Sequence, residues 1–280
     1  MCLYQAGYLI KKSSRIKMKK ISIIGFGSIG CYVFKHLQEN NVSIDSIICK
    51  PGRENEALHS LSQKLETVNS LDEFTDPPYV ILDCAGHSAL IEYASKALLK
   101  GIHFITLSSG ALCDDEISDQ IKTSSEKGGG KFIVAPGAIG SLDILSSAKQ
   151  GGIHEVKYIG RKPPKGWLGS RAEEIIDLNN LKNGSETHFS GTARDAAKLY
   201  PKNANVTATI ALFGVGFDET KVTLIADSSV TTNIHELEIS GKFGTSRFSV
   251  SGFPLPENPR SSALAAMSMV AEVKKFLEIP

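Results

Sequence analysis

Gly25-Phe26-Gly27-Ser28-Ile29-Gly30 has the spacing of a phosphate-cradling turn, and it directly follows the apolar run Ile21-Ser22-Ile23-Ile24. An amphipathic stretch then opens with Cys31-Tyr32-Val33-Phe34. Strand, tight turn and helix N-terminus, in that order, make a dinucleotide site. The first glycine lets the chain turn, the second lets a pyrophosphate approach the backbone, and the third lets the helix pack on the strand. The phosphates then meet free N–H groups and the positive end of a helix dipole. The pattern predicts that these six residues bind NAD or NADP, against the alternative of a purely structural glycine turn.

Three further strand ends carry groups that could serve the same ligand. After the second predicted strand the chain reads Cys49-Lys50-Pro51-Gly52-Arg53, with no acidic residue where NAD enzymes place one for the ribose 2′-hydroxyl. Lys50 and Arg53 could instead hold the 2′-phosphate of NADP, or form a solvated basic loop. Asp83-Cys84-Ala85-Gly86-His87 and Ser108-Ser109-Gly110-Ala111 end the next two strands. The small side chains of Cys84 and Ala85 leave room for ribose and nicotinamide, although a cysteine there is also an ordinary buried apolar residue. His87 is a candidate to face the cleft.

The second half of the chain holds the other reactive types. Arg161-Lys162-Pro163-Pro164 precedes Trp167, the only tryptophan, and Arg194 lies in Gly191-Thr192-Ala193-Arg194-Asp195. Tyr200-Pro201-Lys202-Asn203-Ala204-Asn205-Val206 breaks the chain and opens a helix. Asn203 or Asn205 can cap that helix, or serve as a hydrogen-bonding partner for a nicotinamide amide. Asn233-Ile234-His235 falls in a strand, and histidine is the side chain best matched to proton transfer near neutral pH.

Apolar periodicity supplies the elements that position these groups. Strands are predicted at Ile21–Ile24, Ser43–Cys49, Tyr79–Leu82, His103–Leu107 and Lys131–Val134, alternating with helices at Cys31–Glu39, Glu54–Lys64, Ala89–Lys100 and Ile117–Lys127. That alternation implies an α/β fold with a doubly wound parallel sheet. Later the rhythm changes. A helix at Asp143–Lys149 precedes a strand at Glu155–Ile159, and helices follow at Ala193–Leu199 and Asn205–Phe213. Thr220–Ala226, Asn233–Ser240 and Thr245–Val250 alternate like antiparallel strands of a second, mixed α/β catalytic domain. Ser262–Leu277 closes the chain as an amphipathic helix with Leu264, Met267, Val270 and Val273 on its apolar side. The expected divisions are a flexible extension at 1–17, a dinucleotide-binding domain at 18–138, a catalytic domain at 139–255, and a C-terminal helix at 256–280.

Composition narrows the function classes. Hydrophobic residues are 41% and charged residues 22% of 280, so a real core is available. A net charge of +1 gives no global attraction to nucleic acid or membranes, and no apolar run approaches the ~20 residues of a membrane helix. The five cysteines form no CxxC pair, which argues against a metal site or a disulfide framework and for reduced thiols in a cytoplasmic protein. Residues 1–17 carry Lys11, Lys12, Arg15 and Lys17 with no acidic residue, consistent with a loose extension or with Met18 as the functional start.

The blocks Gly25–Gly30, Asp83-Cys84-Ala85, Ser109-Gly110-Ala111-Leu112, Gly137-Ala138-Ile139-Gly140, Arg161-Lys162-Pro163-Pro164, Lys202-Asn203-Ala204-Asn205-Val206, Ala226-Asp227, Asn233-Ile234-His235 and Asn258-Pro259 resemble the L-aspartate dehydrogenase family from residue 20 onward. The resemblance implies a dinucleotide domain, a catalytic domain, a homodimer or higher oligomer, and a C-terminal helix that returns to the first domain. It implies oxidation of L-aspartate to iminoaspartate with NAD or NADP. The imine is then hydrolysed to oxaloacetate and ammonia or passed into NAD biosynthesis. His235 matches the family's active-site histidine, and Ala138 and Asn205 match cofactor contacts. Ala135-Pro136-Gly137 stands where the family has Pro-Ser-Gly, and Asp83 replaces a common glutamate. A dicarboxylate substrate needs fixed cations, for which Lys162 and Lys202 lead and Arg161 and Arg194 follow. A related homoserine or dihydrodipicolinate dehydrogenase, or a non-catalytic dinucleotide-binding regulator, are the alternatives.

Overall fold

The computed structural model describes residues 19–54 and 65–279, with the side chains of Lys202, Pro259 and Arg260 outside that set. Residues 1–17, Met18 and all but Glu54 of the helix expected over Glu54–Lys64 lie outside the described residues.

The first strand, β1 (Ile21–Ile24), is buried along its whole length, as a run in the middle of a parallel sheet must be. With β2 (Ser46–Ile48), β3 (Glu66–Val68), β4 (Val80–Asp83), β5 (His103–Thr106) and β6 (Phe132–Val134) it forms a six-stranded sheet. The strand order is β3-β2-β1-β4-β5-β6 and every pair is parallel. This is the expected doubly wound sheet. Among the described residues, the helices that follow its strands include α1 (Ser28–Glu39), α2 (His87–Leu99) and α3 (Asp115–Gly128).

Several boundaries differ from expectation, and one short strand was not foreseen. The β2 ladder is three residues rather than seven, because before Ser46 the Asp45 carboxylate takes the Ile21 N–H at 2.8 Å. Helix α1 begins inside the glycine motif, at Ser28, since Gly27 already serves as its N-cap. The short strand β3 has too little apolar alternation to stand out in sequence.

The second sheet contains β7 (Ile153–Lys162), β8 (Ser185–Thr192), β9 (Thr220–Asp227), β10 (Asn233–Gly241) and β11 (Gly244–Gly252), in the order β11-β10-β7-β9-β8. It is mixed, not wholly antiparallel: β7 and β9 run parallel, and the other pairs are antiparallel. Val156, Tyr158, Val222 and Leu224 of the sheet share one core with Leu145 of α4 (Leu142–Gly151), Ala193 and Ala196 of α5 (Ala193–Leu199), and Ala208 and Ile210 of α6 (Asn205–Phe213). Edge strand β8 has a largely exposed, polar sequence, which hid it from pattern reading.

A two-strand hairpin, β12 (Pro254–Leu255) and β13 (Asn258–Ser262), leads into α7 (Ala263–Leu277). Met269 and Val273 of α7 sit in the core of the parallel sheet with Ile21, Ile23, Val33 and Leu37. Lys274 Nζ donates to Asn40 Oδ1 at 2.9 Å, at the end of α1. The buried stripe of α7 is Ala266, Met269 and Val273, one step round the helix from the expected face, and Met267 is 46% exposed.

Candidate active site

In a doubly wound sheet the ligand crevice opens where strand order reverses, here between the ends of β1 and β4. Gly25 and Ala85 meet at that point. Gly25 has φ +81°, and a Cβ on it would stand 2.6 Å from the Ala85 Cβ. A Cβ on Gly30 would collide with the Gly25 carbonyl oxygen, so α1 can approach β1 only without one. Gly27 faces open space and caps α1 without a side chain, which leaves first-turn N–H groups for a ligand. The cradle therefore fits a dinucleotide pyrophosphate.

A groove of about 290 Å³ runs from this cradle and is lined by Gly25, Phe26, Gly27, Lys50, Arg53, Cys84 and Ala85, among others. Ser28 and Ile29 form the first turn of α1 beside it. Lys50 is exposed and has no acidic partner among the described residues. Burial raises the Cys84 thiol well above its ordinary pKa, so it serves as a small apolar wall rather than a nucleophile. Asp83 is fully buried and accepts from Ala85 N–H at 3.0 Å and Thr106 Oγ1 at 2.7 Å, which shapes the turn after β4. Glu92 and Tyr93 of α2 also line the groove and were not foreseen, because helical spacing alone does not say which residues face a ligand.

Asn205, at the start of α6, joins the two domains. Its Oδ1 accepts from Gly110 N–H at 3.0 Å and lies 2.8 Å from His87 Nε2. Its backbone carbonyl accepts from Ser109 Oγ at 2.8 Å. Because the Gly110 N–H must face an oxygen, the amide orientation is fixed and Nδ2 is left to donate. His87 thus holds Asn205 in place. Ala138 is buried on the loop after β6 and does not line the groove. Its neighbour Gly137 donates its N–H to Ser268 Oγ of α7 at 2.9 Å.

The second cluster lies on the helix-covered face of the second sheet. In the β7–β10 register His235 stands opposite Gly160 and Leu237 opposite Tyr158. Side chains alternate, so Tyr158, Gly160 and Lys162 share one face with His235. His235 is 6% exposed, and its Nδ1 is 2.7 Å from the Tyr158 hydroxyl. Burial, reinforced by the Lys162 charge, lowers its pKa to about 4, so it is neutral at pH 7. Half-buried Lys162 donates from Nζ to Asn203 Oδ1 at 2.5 Å and lies 4.8 Å from the Trp167 ring centroid. Burial lowers its pKa to about 8. Asn203 is two residues before Asn205, so a single turn connects Lys162 to the cofactor side of the cleft.

Arg161 and Arg194 are engaged elsewhere. Arg161 is one residue from Lys162 on the strand and so points to the opposite face, where Nη1 pairs with Asp227 Oδ2 at 2.7 Å. Arg194 bonds Asp218, Asp115 and the Cys113 carbonyl, tying α5 to α3. Both are thereby removed as carboxylate-binding candidates. Lys202 is on the 3-10 turn Pro201–Asn203.

A 3-2-1-4-5-6 parallel sheet with a glycine cradle at its switch point, joined through Asn205 to a Lys–His cluster on a second sheet, defines a two-domain NAD(P)-dependent dehydrogenase. Residues 25–135 match the family described as Homoserine dehydrogenase, NAD binding domain, and residues 143–276 match Aspartate dehydrogenase, C-terminal. The chain is 44% identical over 256 residues to L-aspartate dehydrogenase of Ruegeria pomeroyi, covering 91% of this chain and 92% of that one. To the enzyme of the same name from Pseudomonas aeruginosa it is 38% identical, covering 90% and 96%. It belongs to the L-aspartate dehydrogenase family. Among solved structures, aspartate dehydrogenase from Thermotoga maritima superposes with a TM-score of 0.69 at 27% identity, over 93% of this chain and 95% of that one.

Proposed function

We propose that the protein oxidises L-aspartate to iminoaspartate with NAD(P), the imine then giving oxaloacetate and ammonia, and that it runs the reverse reaction under reducing conditions. The observation that carries this reading is the placement of His235 and Lys162 on one face, linked by the 203–205 turn to the cofactor groove. When bound, NAD(P) supplies the acceptor for the hydride leaving the substrate α-carbon. The chain's own residues do the rest. The substrate nitrogen must lose a proton before hydride can leave, and His235 and Lys162 are the groups beside it that exchange hydrogen bonds and protons. Lys202 supplies positive charge for the substrate carboxylates, and Lys162 adds its own once it has taken the proton. Asn205 Nδ2 and the loop carrying Ala138 hold the nicotinamide end of the cofactor.

Lys50 and Arg53 line the groove after β2 and support use of NADP beside NAD, the Glu54 carboxylate next to them being turned back onto the Gly52 N–H and Asn69. The family resemblance supports a cytoplasmic homodimer or higher oligomer whose imine product feeds pyridine-nucleotide synthesis. Phe253, 74% exposed, and Phe243, 49% exposed, are apolar surface for such an assembly. No helix among the described residues is long and apolar enough to cross a membrane.

The deciding assay is absorbance at 340 nm with L-aspartate and either NAD or NADP, beside glutamate, alanine and homoserine. Aspartate-dependent reduction is expected. No turnover with aspartate, nor with oxaloacetate plus ammonia in reverse, overturns the reading in favour of a non-catalytic dinucleotide-binding protein.

A further inference from the structure

The hydrogen bond between Tyr158 and His235 decides what His235 can do. A neutral imidazole has one N–H and one bare nitrogen, and its partner selects which is which. Tyr158 is 3% exposed, and the only acceptor its hydroxyl has among the described residues is His235 Nδ1, at 2.7 Å. If Nδ1 carried the hydrogen instead, the phenol would be left as a buried donor without an acceptor, which is costly. Among the described residues the structure holds one unpartnered buried side-chain polar atom, His188 Nε2, and reversing this bond would add a second. The phenol reaches its partner across Gly160. A Cβ at that position would lie 2.8 Å from the Tyr158 hydroxyl, so the contact depends on the strand having no side chain there.

We propose that Tyr158 donates to His235 Nδ1 and so fixes the hydrogen of resting His235 on Nε2, making His235 a hydrogen-bond donor to the substrate and leaving Lys162 to accept the proton of the substrate ammonium. This rests on the site being that of an aspartate dehydrogenase. Tyr158 is then a positioning residue, and His235 and Lys162 are the catalytic ones.

Lys162 flanks Gly160 on the side away from Tyr158, so the two residues occupy the two diagonals about His235. It makes no ion pair among the described residues. Asn203 accepts one Nζ hydrogen, and the Trp167 ring lies beneath. The other titratable groups that feel its charge are His235 on β10 and His188 on β8. In the amine form Nζ keeps a lone pair. One substrate N–H bond breaks, its electron pair stays on the substrate nitrogen, and the proton bonds to Nζ. Lys162 becomes the ammonium, which Asn203 and the Trp167 face hold. A depressed lysine pKa of about 8 keeps part of the population ready at neutral pH.

The first arm of the test needs no turnover. The cofactor-bound enzyme, labelled with ¹⁵N-histidine and assigned with His235→Gln, is read at pH 7 by NMR, where protonated and bare ring nitrogens are well separated. A protonated Nε2 and a bare Nδ1 are expected in the wild type, with a minor Nδ1-protonated form appearing only in Tyr158→Phe, which lacks the donor that excludes it. A wild-type His235 protonated on Nδ1 overturns the assignment.

The second arm is kinetic. Lys162→Gln should lose roughly 10²–10⁴-fold in kcat, the worth of a general base, with partial rescue by added methylamine, while still binding NADH. In the wild type kcat/KM should rise with pH through a midpoint near 8, as the Lys162 amine form accumulates. A Lys162→Gln enzyme with raised KM for aspartate and unchanged kcat overturns the proton-accepting role. A wild type silent toward aspartate sinks the functional reading itself, and the tautomer result still stands or falls by NMR.

Discussion

Asn205 Oδ1 accepts the backbone N–H of Gly110 across the domain boundary at 3.0 Å, and His87 Nε2 lies 2.8 Å from the same oxygen. One side chain of the second domain is thereby locked by two groups of the first. Its free Nδ2 is set before any ligand arrives. Asn205→Ala is expected to raise the Kd for NADH about tenfold, the worth of one hydrogen bond at ~1.4 kcal/mol, in a fluorescence titration. An unchanged Kd would remove Asn205 from the cofactor contacts.

Lys50 and Arg53 line the groove at the tip of β2, where a 2′-phosphate would arrive. Hydrogen bonds to a charged group contribute about 1.5–3 kcal/mol each. The double variant Lys50→Ala/Arg53→Ala should therefore weaken NADPH at least about tenfold while leaving NADH nearly untouched. Equal losses for both cofactors would mean that the two cations only support the loop.

Gly30 is the tightest position of the cradle. In Gly30→Ala the new Cβ meets the Gly25 carbonyl, and α1 must move off β1. Overpacking of this kind costs about 1–3 kcal/mol, visible as a lower Tm, and cofactor binding should fall with it. Gly27→Ala, at an open position, should cost far less stability. A Gly30→Ala protein of normal Tm and affinity would show that the strand and helix are not in contact there.

Acid should destabilise the protein through its buried histidines. His235 and His188 are both held near a pKa of about 4, mainly by burial and then by the Lys162 charge. The unfolded chain titrates near 6.5 and binds these protons first, so stability is full above that pH. It falls as pH drops from about 6.5 toward 4, by up to ~1.4 kcal/mol per pH unit for each histidine. Urea midpoints at pH 8, 6.5 and 5 measure the slope. Equal midpoints at all three would mean that these imidazoles are reached by water.

The glycine cradle and the parallel sheet could be read from sequence because each rests on neighbours in the chain: an apolar run, three glycines and a helix start. The Tyr158–His235 pair joins residues 77 apart and depends on the β7–β10 register, which no local pattern reveals. Lys162 ranks ahead of Arg161 in the sequence, but with no geometric ground to separate them while the strand is expected to stop at Ile159. Once β7 runs to Lys162, strand alternation puts one on each face and separates an ion-paired structural arginine from a site lysine. A glycine at 160 was the available signal, since a gap in an otherwise bulky strand marks close approach of another group.

The packing of α7 against α1 has a mechanical consequence. The chain leaves the cofactor domain through the loop after β6, builds the second sheet, and comes back through the β12–β13 hairpin. The second domain therefore has two covalent pins in the first, and the Gly137–Ser268 bond clips the two pins together. On the far side of that mounting Asn205 and Arg194 latch onto Gly110, Cys113 and Asp115 of the first domain, so the face that carries Lys162 and His235 is held toward the groove from both sides. Substitution of Ser268 would loosen the clip and, through Gly137, the loop that carries Ala138.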